Sequence, residues 1–584
     1  MLVEGAGTAS HLQHITPRGS YRRLGFASVQ VLAVVSTLVF CVSRAQAAEY
    51  TVRQDGKGSY TTIQACADAA TAGDTCLVSA GTYAEHVSTK AGGTSDDNRV
   101  TFLASGTVTM RGFTVRHPYV TINGFDMTGY ASGGYGTITL YTGGDYCNIL
   151  NNTIRDGVPV SGAGVQGIMF YPSRGTSASH CIVRGNTLSN LAYTFMTLGG
   201  TDNLIEGNVF QTQNSRDYLY LFGSNHTIRR NIFRLGPMKA GVGNHPDWFQ
   251  TFGQATSNCE NILFEENWVQ GPGDETGGAF CQINSGDGVV TKGILYDNVK
   301  NITLRRNVII NVFGNGSVGV PGFRLEHNTF YRMAYGQSGF SVSSGLTRSN
   351  GENFVAKNNV FLEGSAGATI TNDFRGFYSG PGAGLSTEAL GVLVTKEEYP
   401  YPTAAAIRKA LMDGGYLTAG NGAISDKTKA MTDVSQFTLD AAYSAYKTDT
   451  YTQLMRVAAM DTSIKKTFVA DYNYVAGAAS AGFPRRRSSM CVVGQNWPPY
   501  GGYFCEEPAY GGHGINGGDP MLSSLTNFLG PDGVPFTLDD GLKPLSTSPL
   551  CGKGEGGSDI GAYSCDPDKV FPAQPKPPSN LTIR

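Results

Sequence analysis

Two short runs of this chain, residues 217–223 and 247–253, place an aspartate at the same position before a Phe-Gly pair. Asp217 and Asp247 each precede their Phe-Gly by five residues, and the two runs align without a gap. If the runs are strands on neighbouring turns of a repeat, their carboxylates lie about 5 Å apart. Like charges at that distance are costly unless a cation, a basic side chain or a shared proton intervenes. The pair could therefore serve acid–base catalysis or hold a hard cation such as Ca²⁺.

The second run is the richer in groups that could contact a substrate. Its residues 244–250 read Asn-His-Pro-Asp-Trp-Phe-Gln. Strand alternation predicts Trp248 and Gln250 on the face opposite Asp247, unless the bend before Asp247 shifts the count. Sugars are bound by such mixtures of polar groups and flat rings. We predict Asp217, His245 and Asp247 as catalytic residues. The residues predicted to bind the substrate are Arg216, Lys239, Trp248, Gln250 and Gln282.

Each of these residues also has a purely structural interpretation. An aspartate at the start of such a strand can cap a turn by accepting backbone N–H hydrogen bonds, and His245 could be a turn residue beside Pro246. If residues 280–282 are the next copy of the strand, Gln250 and Gln282 lie in register and could form an internal amide ladder. The cluster as a whole, on adjacent turns, favours a functional site.

A repeated phrase indicates the elements that position these residues. Eight times an asparagine is followed by a β-branched or aromatic residue and then an apolar one. The intervals run from 21 to 40 residues, and the shortest fit one turn of a coil made of three short strands. Such a period is typical of a solenoid whose units bury their faces on one another. The asparagines are Asn152, Asn186, Asn208, Asn231, Asn267, Asn307, Asn328 and Asn359.

Residues around each asparagine alternate between apolar and polar, which predicts strands with one buried face. Before Asn186, for example, Cys181 and Val183 are apolar and Arg184 is charged. Successive turns of one chain run the same way, so the sheets are parallel and the fold is an all-β parallel β-helix. We expect the asparagines to adopt left-handed backbone geometry at a bend and their side chains to hydrogen-bond along the stack. The absence of helical periodicity and of regular Leu spacing excludes ankyrin, tetratricopeptide and leucine-rich repeats.

The charge balance gives no reason to expect nucleic acid or a charged membrane surface as a partner. The 584 residues contain 44 Lys and Arg against 46 Asp and Glu, without a long basic run. The sequence also lacks zinc-ligand spacing, a phosphate-binding loop and a Ser-His-Asp arrangement. We expect a monomer.

The N-terminal segment is typical of a targeting signal. Arg22 and Arg23 precede an apolar stretch over residues 24–42, and Ala45-Gln-Ala47 resembles a cleavage site. We predict a signal peptide over residues 1–47 and a secreted or periplasmic protein without membrane contact after cleavage. A retained membrane anchor is the alternative, because the apolar stretch is just long enough to span a bilayer.

Ten cysteines remain once Cys41 is removed with the signal peptide, an even number that is typical of disulfides in an exported chain. Cys147 and Cys181 each lie five residues before their asparagine, so adjacent turns should bring them within disulfide range. Buried free thiols are the alternative. The predicted disulfide cysteines are Cys66 with Cys76, Cys491 with Cys505, Cys551 with Cys565, Cys147 with Cys181, and the remaining Cys259 and Cys281.

Motifs at both ends of the repeat resemble the pectin lyase-like right-handed parallel β-helix superfamily. They are Tyr-Thr-Thr-Ile-Gln at 60–64 and Gly-Asp-Thr at 73–75, then Gly-Asp-Pro at 518–520 and Asp-Ile-Gly-Ala-Tyr at 559–563. The resemblance implies a right-handed coil whose first turn is capped by a short amphipathic helix. Members include lyases, hydrolases, epimerases, esterases and adhesins, and they often carry an acidic cluster on one parallel sheet. The His-x-Asp-x-x-Gln run at 245–250 resembles that of bacterial polysaccharide-active members.

The repeat phrase divides the chain into regions. We predict a β-helix with its N-terminal cap over residues 48–384, final coils and a C-terminal cap over 469–566, and a Pro-rich disordered tail over 567–584. Between the coils, over residues 385–468, Ala-rich composition and apolar residues three or four apart predict a small inserted helical subdomain. It could overhang a substrate groove or simply elaborate a long loop.

These features predict a secreted protein acting on an extracellular, uronate-containing polysaccharide. Our first hypothesis is β-elimination, with Ca²⁺ held by Asp217 and Asp247 and with Lys239, Arg216 or His245 as the base. The second is glycoside hydrolysis by the aspartate pair. The third is a glycan-binding protein without catalysis, such as an adhesin.

Overall fold

The computed structural model describes most of the chain between residues 47 and 373 and two later segments. The described ranges are 47–160, 164–172, 175–191, 193–213, 217–236, 247–252, 258–271, 281–284, 299–312, 316–319, 322–332, 340–343, 355–362, 370–373, 469–476 and 513–566, with Asp413. The signal peptide, nearly all of the helical insertion, the Pro-rich tail and the Cys491–Cys505 pair are predictions that lie outside these residues.

The described strands form three ladders of parallel pairs that follow one another round each turn of the chain. The first ladder contains Glu49–Val52, Thr75–Thr82, Val100–Met110, Val120–Asn123, Asn148–Leu150, Ile182–Arg184, Leu204–Glu206, Thr227–Arg229, Cys259–Glu265, Val299–Arg305, Arg324–Glu326, Val355–Lys357 and Val469–Asp471. The second contains Asp126–Thr128, Thr153–Arg155, Thr187–Ser189, Val209–Gln213, Ile232–Leu235, Trp268–Gln270, Val308–Ile310, Thr329–Tyr331, Val360–Leu362, Tyr474–Ala476 and Ile515–Asn516. The third contains His86–Ser88, Gly112–Val115, Gly136–Tyr141, Gln166–Tyr171, Met196–Leu198, Leu219–Leu221, Phe249–Phe252, Cys281–Asn284, Gly316–Gly319, Phe340–Ser343 and Ile370–Asp373.

Three small elements complete the described structure: the α-helix Ile63–Ala69, the two-stranded pair Ala131–Ser132 with Val158–Pro159, and the 3₁₀ turn Glu555–Gly557. A short strand, Gly223–Ser224, extends the first ladder by pairing with Cys259–Glu265. The predicted all-β parallel β-helix is confirmed.

The core consists of columns in which similar apolar side chains stack from coil to coil. In the second ladder Phe210 pairs in register with Phe233, and their rings stack at 4.6 Å and 2°. Ile205 and Ile228 form the matching fully buried pair in the first ladder. Because strand alternation turns every second side chain inward, the predicted period-two pattern specifies these columns directly.

The predicted asparagine ladder is confirmed. Each ladder asparagine donates from Nδ2 to the Oδ1 of the next, for example Asn186 to Asn208 at 3.0 Å and Asn208 to Asn231 at 3.0 Å. The same Oδ1 atom also accepts the backbone N–H of the preceding asparagine, at 2.9 Å for both pairs. All eight predicted asparagines are fully buried, so the ladder satisfies backbone groups that would otherwise be orphaned inside the coil.

The prediction that the ladder asparagines themselves adopt left-handed geometry is wrong. The residue before each of them has the positive φ, as at Asn151 (φ 53°), Gly185 (φ 69°) and Arg230 (φ 54°). That residue turns the chain, and the ladder asparagine then resumes ordinary backbone geometry and uses its side chain to bridge coils. Left-handed backbone is tolerated here by glycine, by asparagine and by several larger residues.

The ladder has a ninth member that the repeat phrase missed. Asn359 donates to Asn473 Oδ1 from both its backbone N–H, at 3.0 Å, and its Nδ2, at 2.9 Å. The strand Val355–Lys357 likewise pairs in register with Val469–Asp471. Asn473-Tyr474-Val475 fits the phrase, but a separation of 114 residues hides it from any search for a regular period. The coil therefore continues directly across the long intervening segment.

The outer face of the first ladder carries a column of alternating charge. In register from coil to coil it reads Arg184, Glu206, Arg229, Glu265, Arg305, Glu326, Lys357 and Asp471. Glu206 bridges Arg184 and Arg229, each at 2.8 Å, and Arg305 contacts Glu265 at 2.6 Å. Cross-strand pairs of opposite charge stabilise a sheet by roughly 0.2–1 kcal/mol each. At the far end of the column Lys357 pairs with Glu555 and Asp471 with His513, so most of the charge on this face is already paired.

The N-terminal helix Ile63–Ala69 buries Ile63, Cys66 and Ala67. Its first turn is capped by the hydroxyl of Thr62, which accepts the N–H of Ala65 at 3.2 Å, and by the Glu85 carboxylate. The helix is held to the first strands by the disulfide Cys66–Cys76.

Two predicted disulfides are confirmed and two assignments are wrong. Cys66–Cys76 and Cys551–Cys565 are bonded. Cys147 and Cys181 do lie on adjacent turns, but as buried free thiols, with the Cys147 N–H donating to Cys181 Sγ at 3.4 Å. Stacking in register brings two thiols together without requiring a bond, because an inward cysteine also packs as a small apolar residue. Cys259 is likewise a buried free thiol, and burial raises its pKa to about 12; the Cys281 side chain lies outside the described residues.

After Ile515–Asn516 the C-terminal segment covers the outer side of the second ladder. There the outward residues Trp268, Val308 and Val360 are buried in a second apolar cluster with Phe536 and Tyr563. The Trp268 and Phe536 rings meet edge to face at 6.4 Å. Outward positions of the same ladder are polar in earlier coils, as at Thr153, Arg155 and Ser189. This change from polar to apolar marks where the C-terminal segment packs.

Replacing one ladder asparagine should destabilise the coil. Asn231→Ala removes the oxygen that accepts two donors of Asn208 and the amide that donates to Ile205 O at 3.0 Å. Buried donors left without a partner cost about 1–3 kcal/mol each, so we expect a clearly lower midpoint of urea unfolding, followed by circular dichroism. Asn225→Gly is the matched control for an exposed contact: Asn225 has φ 58°, and the hydrogen bond that its Oδ1 accepts from Asn261 Nδ2 is exposed to water, so its loss should cost little. An unchanged midpoint for Asn231→Ala would contradict a stabilising role of the ladder.

Stability should also depend on pH through Asp540, which is fully buried in the C-terminal segment. Burial raises the pKa of Asp540 to about 7, although it accepts hydrogen bonds from Tyr563 Oη and Phe536 N. The ordinary value is about 3.9, so the folded chain binds this proton more tightly than the unfolded chain. The resulting stabilisation is therefore fully present below about pH 4 and is lost as pH rises to about 7.

The comparison is between thermal transitions of the wild type and Asp540→Asn across that pH range. We expect the variant to lose the part of the pH dependence that falls between about pH 4 and 7. The exposed Asp97→Asn should retain it. Identical pH profiles for all three proteins would exclude Asp540 as the titrating group.

Candidate active site

The two predicted carboxylates lie on adjacent coils in register. Leu219 pairs with Phe249 and Tyr220 with Gln250 in the third ladder, so Asp217 and Asp247 occupy equivalent positions just before these strands. Their backbones are joined by a hydrogen bond from Tyr218 N to Asp247 O at 2.8 Å. The same register places Thr194 beside Asp217 on the preceding coil, as the spacing of the asparagine phrase predicts.

Asp217 has a structural role in addition to any chemical one. Its Oδ1 accepts the backbone N–H of Asp247 at 2.9 Å, which is the turn-capping contact that the alternative interpretation predicts. Both aspartates are buried, with 3% and 1% of their surface exposed. The geometry therefore makes Asp217 the residue that positions Asp247, while its second carboxylate oxygen is not needed for this contact.

The prediction that Trp248 binds substrate is wrong. Trp248 is fully buried in the core, where it meets Phe233 at 5.6 Å and Phe264 at 5.1 Å. The next residue, Phe249, is also fully buried, so alternation fails at this corner. Tyr218 occupies the equivalent inward position on the preceding coil and is likewise fully buried. Large aromatic rings can fill a corner where the chain turns into a new strand, and their burial outweighs the period-two rule there.

The predicted register of Gln250 with Gln282 is confirmed. Gln250 is half-buried, as is Tyr220 on the preceding coil, and these residues stand on the outer side of the third ladder because their neighbours Leu219 and Leu221 are in the core. Thr197 precedes Tyr220 in the same column and donates to Gln166 Oε1. A row of polar and aromatic groups thus runs beside the aspartate pair.

Three predicted residues, Arg216, Lys239 and His245, lie outside the described part of the chain. The residues that flank 237–246 are described: Gly236 contacts Tyr218, and Asp247 belongs to the pair itself. Gly236 N donates to the Tyr218 hydroxyl at 2.8 Å, and Asp247 N contacts Asp217. The Tyr218 hydroxyl in turn donates to Arg234 O at 2.6 Å. Tyr218 therefore anchors the chain at the point where it leaves the ladder toward this segment.

The aspartates have the oxygen chemistry that Ca²⁺ prefers, but the described residues supply only part of a calcium site. No group of three or more His, Cys, Asp or Glu side chains suited to a metal occurs among the residues that the structure describes. Calcium takes six to eight oxygen ligands, and one oxygen of Asp217 already accepts a backbone N–H. Carbonyl oxygens, further side chains or water would have to complete such a site.

One titratable residue near the third ladder was not singled out by the sequence. His226 is fully buried, and burial lowers its pKa to about 4. Its Nδ1 accepts the N–H of Asn203 at 3.2 Å, and its Nε2 contacts Phe222 O at 2.9 Å. Both ring nitrogens serve the backbone of adjacent coils, so His226 is a neutral structural residue, comparable to a ladder asparagine.

Comparison with known proteins gives structural likeness without close relatives. No protein-family model matches the chain, and no curated protein sequence matches it. Among solved structures, the PL6 family polysaccharide lyase from Pseudopedobacter saltans is 15% identical with a TM-score of 0.39, over 55% of this chain and 85% of that chain. An alginate lyase from Paenibacillus is 13% identical with a TM-score of 0.32, over 53% and 94%. A GH136 lacto-N-biosidase from Eubacterium ramulus is 9% identical with a TM-score of 0.31, over 56% and 66%.

Identities this low are silent on chemistry, so the functional argument depends on this chain's own residues. The resemblance of the two chain ends to pectin lyase-like proteins is confirmed at the level of the fold, by the described parallel ladders themselves. No helix long and apolar enough to cross a membrane occurs among the described residues.

The capping contact predicts different outcomes for two changes at Asp217. Asp217→Ala leaves the buried Asp247 N–H without its acceptor and should lower stability by about 1–3 kcal/mol. Asp217→Asn retains an Oδ1 acceptor and should keep most of that stability. Thermal unfolding of both variants checks this. Equal stability of the two variants would mean that the Asp217–Asp247 contact contributes nothing to the coil.

Proposed function

We propose that this protein is a secreted enzyme that cleaves an extracellular, uronate-containing polysaccharide by β-elimination. The observation that carries the proposal is the pair of buried aspartates on adjacent coils, Asp217 and Asp247, just before two neighbouring strands of the third ladder. Mutual repulsion makes such a pair costly. The hydrogen bond between them joins the carboxylate of Asp217 to the backbone N–H of Asp247, so this contact does not by itself account for an aspartate at both positions.

The outer faces of the three ladders differ in what they leave for a ligand. In the first ladder the charges from Arg184 to Arg305 pair with one another, and Lys357 and Asp471 pair with Glu555 and His513 of the C-terminal segment. In the later coils of the second ladder the outer face is covered by the C-terminal segment. The third ladder presents half-buried Tyr220 and Gln250 next to the aspartates, a combination of ring and amide that suits a sugar.

In the proposed reaction a base removes the proton at C5 of a uronate. The C4–O bond to the neighbouring sugar breaks, a C4–C5 double bond forms, and the leaving oxygen takes up a proton. The base would be His245, Lys239 or Arg216. The first two belong to the segment 237–246, which leads directly into Asp247 in the sequence. This closeness in sequence supports a base from that segment.

Asp217 and Asp247 would hold Ca²⁺, if the reaction uses it, through their carboxylate oxygens. The ion would neutralise the uronate carboxylate and so make the C5 proton more acidic. Removal of divalent cations with EDTA tests this assignment separately from the reaction type.

Glycoside hydrolysis is the alternative that the same pair supports. One aspartate would act as the acid and the other as base or nucleophile, at the short separation that adjacent coils impose. The two confirmed disulfides, Cys66–Cys76 and Cys551–Cys565, support an exported protein acting outside the cytoplasm.

The decisive assay incubates the purified protein with uronate polymers and follows the ultraviolet absorbance of the unsaturated product. We expect absorbance to rise with the wild type. With Asp247→Asn the rate of this rise should be at least about 100-fold lower, while the midpoint of thermal unfolding stays nearly unchanged. Asp97→Asn, exposed and remote in sequence, is the matched control. New reducing ends without a rise in absorbance would indicate hydrolysis instead of β-elimination. A large loss of stability in Asp247→Asn would indicate that Asp247 is a structural residue.

A further inference from the structure

A second cluster on the third ladder, four coils before Asp217, carries a cation without an acidic partner. Arg116, Tyr141 and Tyr171 occupy one outward column, since their neighbours Val115, Leu140 and Phe170 pair in register and are fully buried. The guanidinium of Arg116 lies over the Tyr141 ring, 3.6 Å from its centroid. Arg116 is exposed, and in the described part of the chain its guanidinium makes no hydrogen bond or ion pair.

Arg116 differs in this respect from most arginines on the outside of the described coil. Arg155 is bound by Asp126 and Asp156, and Arg184 and Arg229 are bound by Glu206. Stacking on Tyr141 instead fixes the guanidinium plane and leaves its N–H groups available at the edges. Such a fork matches a carboxylate, which it can bind through two parallel hydrogen bonds.

The surroundings of Arg116 add positive charge and an aromatic surface. Lys90 is exposed, and Arg116 and Lys90 both lie close enough to His117 to lower its pKa, after the larger effect of burial. On the other side, Tyr171 contacts Tyr141 at 5.1 Å and Tyr135 at 5.6 Å. Tyr135 is 41% exposed, so its ring can contact the apolar face of a sugar whose carboxylate binds Arg116.

We infer that Arg116, with Tyr135 and Lys90, forms a distal subsite for an anionic sugar, and that the substrate is an oligomeric uronate rather than a neutral glycan. This inference deepens the proposed function and rests on it for the link to cleavage. Adjacent strands are about 4.8 Å apart, so four coils separate this subsite from Asp217 by roughly 19 Å along the coil axis, and the two also lie at opposite ends of their strands. A ligand that contacts both must span several sugar units.

The test measures binding by calorimetry to oligomers of galacturonate, mannuronate, guluronate and glucuronate. An Asp247→Asn background prevents consumption of the ligand. We expect Arg116→Ala to weaken binding of at least one long uronate oligomer by about ten-fold or more, as loss of a charge-assisted pair predicts. Arg116→Lys keeps the charge but lacks the planar fork, so it should recover only part of the affinity. Lys553→Ala, which removes one exposed positive charge near the other end of the described chain, should bind as the parent does.

Methyl-esterified oligomers of the same length provide the charge control. They should bind the parent and Arg116→Ala equally, because the ester cannot form the ionic pair. The inference is overturned if Arg116→Ala binds every uronate oligomer as tightly as its parent, if the esters lose as much affinity as the acids, or if no uronate binds at all. If uronate binding depends on Arg116 but the wild type cleaves no uronate polymer, the proposed reaction is refuted while the binding subsite is supported.

Discussion

Everything in this coil depends on the hydrogen bonds that run from asparagine to asparagine at the bend between the first and second ladders. A bend interrupts the backbone pairing of the flanking strands, and in a stack of bends each interruption lies inside the protein, where an unpaired N–H is costly. The asparagine Oδ1 accepts both the backbone and the side-chain N–H of the coil before it, and its own Nδ2 continues the row. Since the coils from Asn152 to Asn473 all use this arrangement, the bend repeats at one position, and the registers of the first and second ladders in these coils follow from it.

The repeated asparagine bend explains which features of the structure can be predicted from the sequence. The asparagine phrase fixes the register of the first two ladders, and counting from it correctly places Thr194 beside Asp217 and Cys147 next to Cys181. The registers of Asp217 with Asp247 and of Gln250 with Gln282 follow instead from similar runs within the third ladder. The phrase does not report how a corner is filled. Trp248 and Phe249 are consecutive and both buried, because a corner offers room on the inside that a straight strand does not. Which residue bears the left-handed turn is also invisible to composition, since residues as different as glycine, arginine and tyrosine do so.

The C-terminal segment illustrates a different limit. Its binding surface is encoded in the outward positions of the second ladder, which change from polar residues such as Thr153 to apolar ones such as Val308 and Val360. In the sequence of any one strand this change appears only as a higher apolar content. The alternation rule predicts that such residues are buried, but it does not tell whether they face the interior of the coil or a segment packed on its outside. The three outer faces therefore differ: the first carries charges that are mostly paired, the second is covered in its later coils by the C-terminal segment, and the third carries half-buried polar groups and rings such as Tyr220 and Gln250.

The pairing of Asn359 with Asn473 shows how long a chain segment a β-helix can accommodate between two successive coils. Closing a loop costs chain entropy that grows only with the logarithm of its length, so a 114-residue excursion costs about 1.5 kcal/mol more than the 21-residue interval between Asn307 and Asn328. Asn473 joins the ladder through three hydrogen bonds, to Asn359 N, Asn359 Nδ2 and Ala356 O, each contributing about 0.5–1.5 kcal/mol. The hydrogen bonds of Asn473 therefore offset this extra closure entropy of the longer excursion. Natural selection can lengthen, shorten or exchange such excursions with little effect on folding, as long as the asparagine that receives the returning chain is retained.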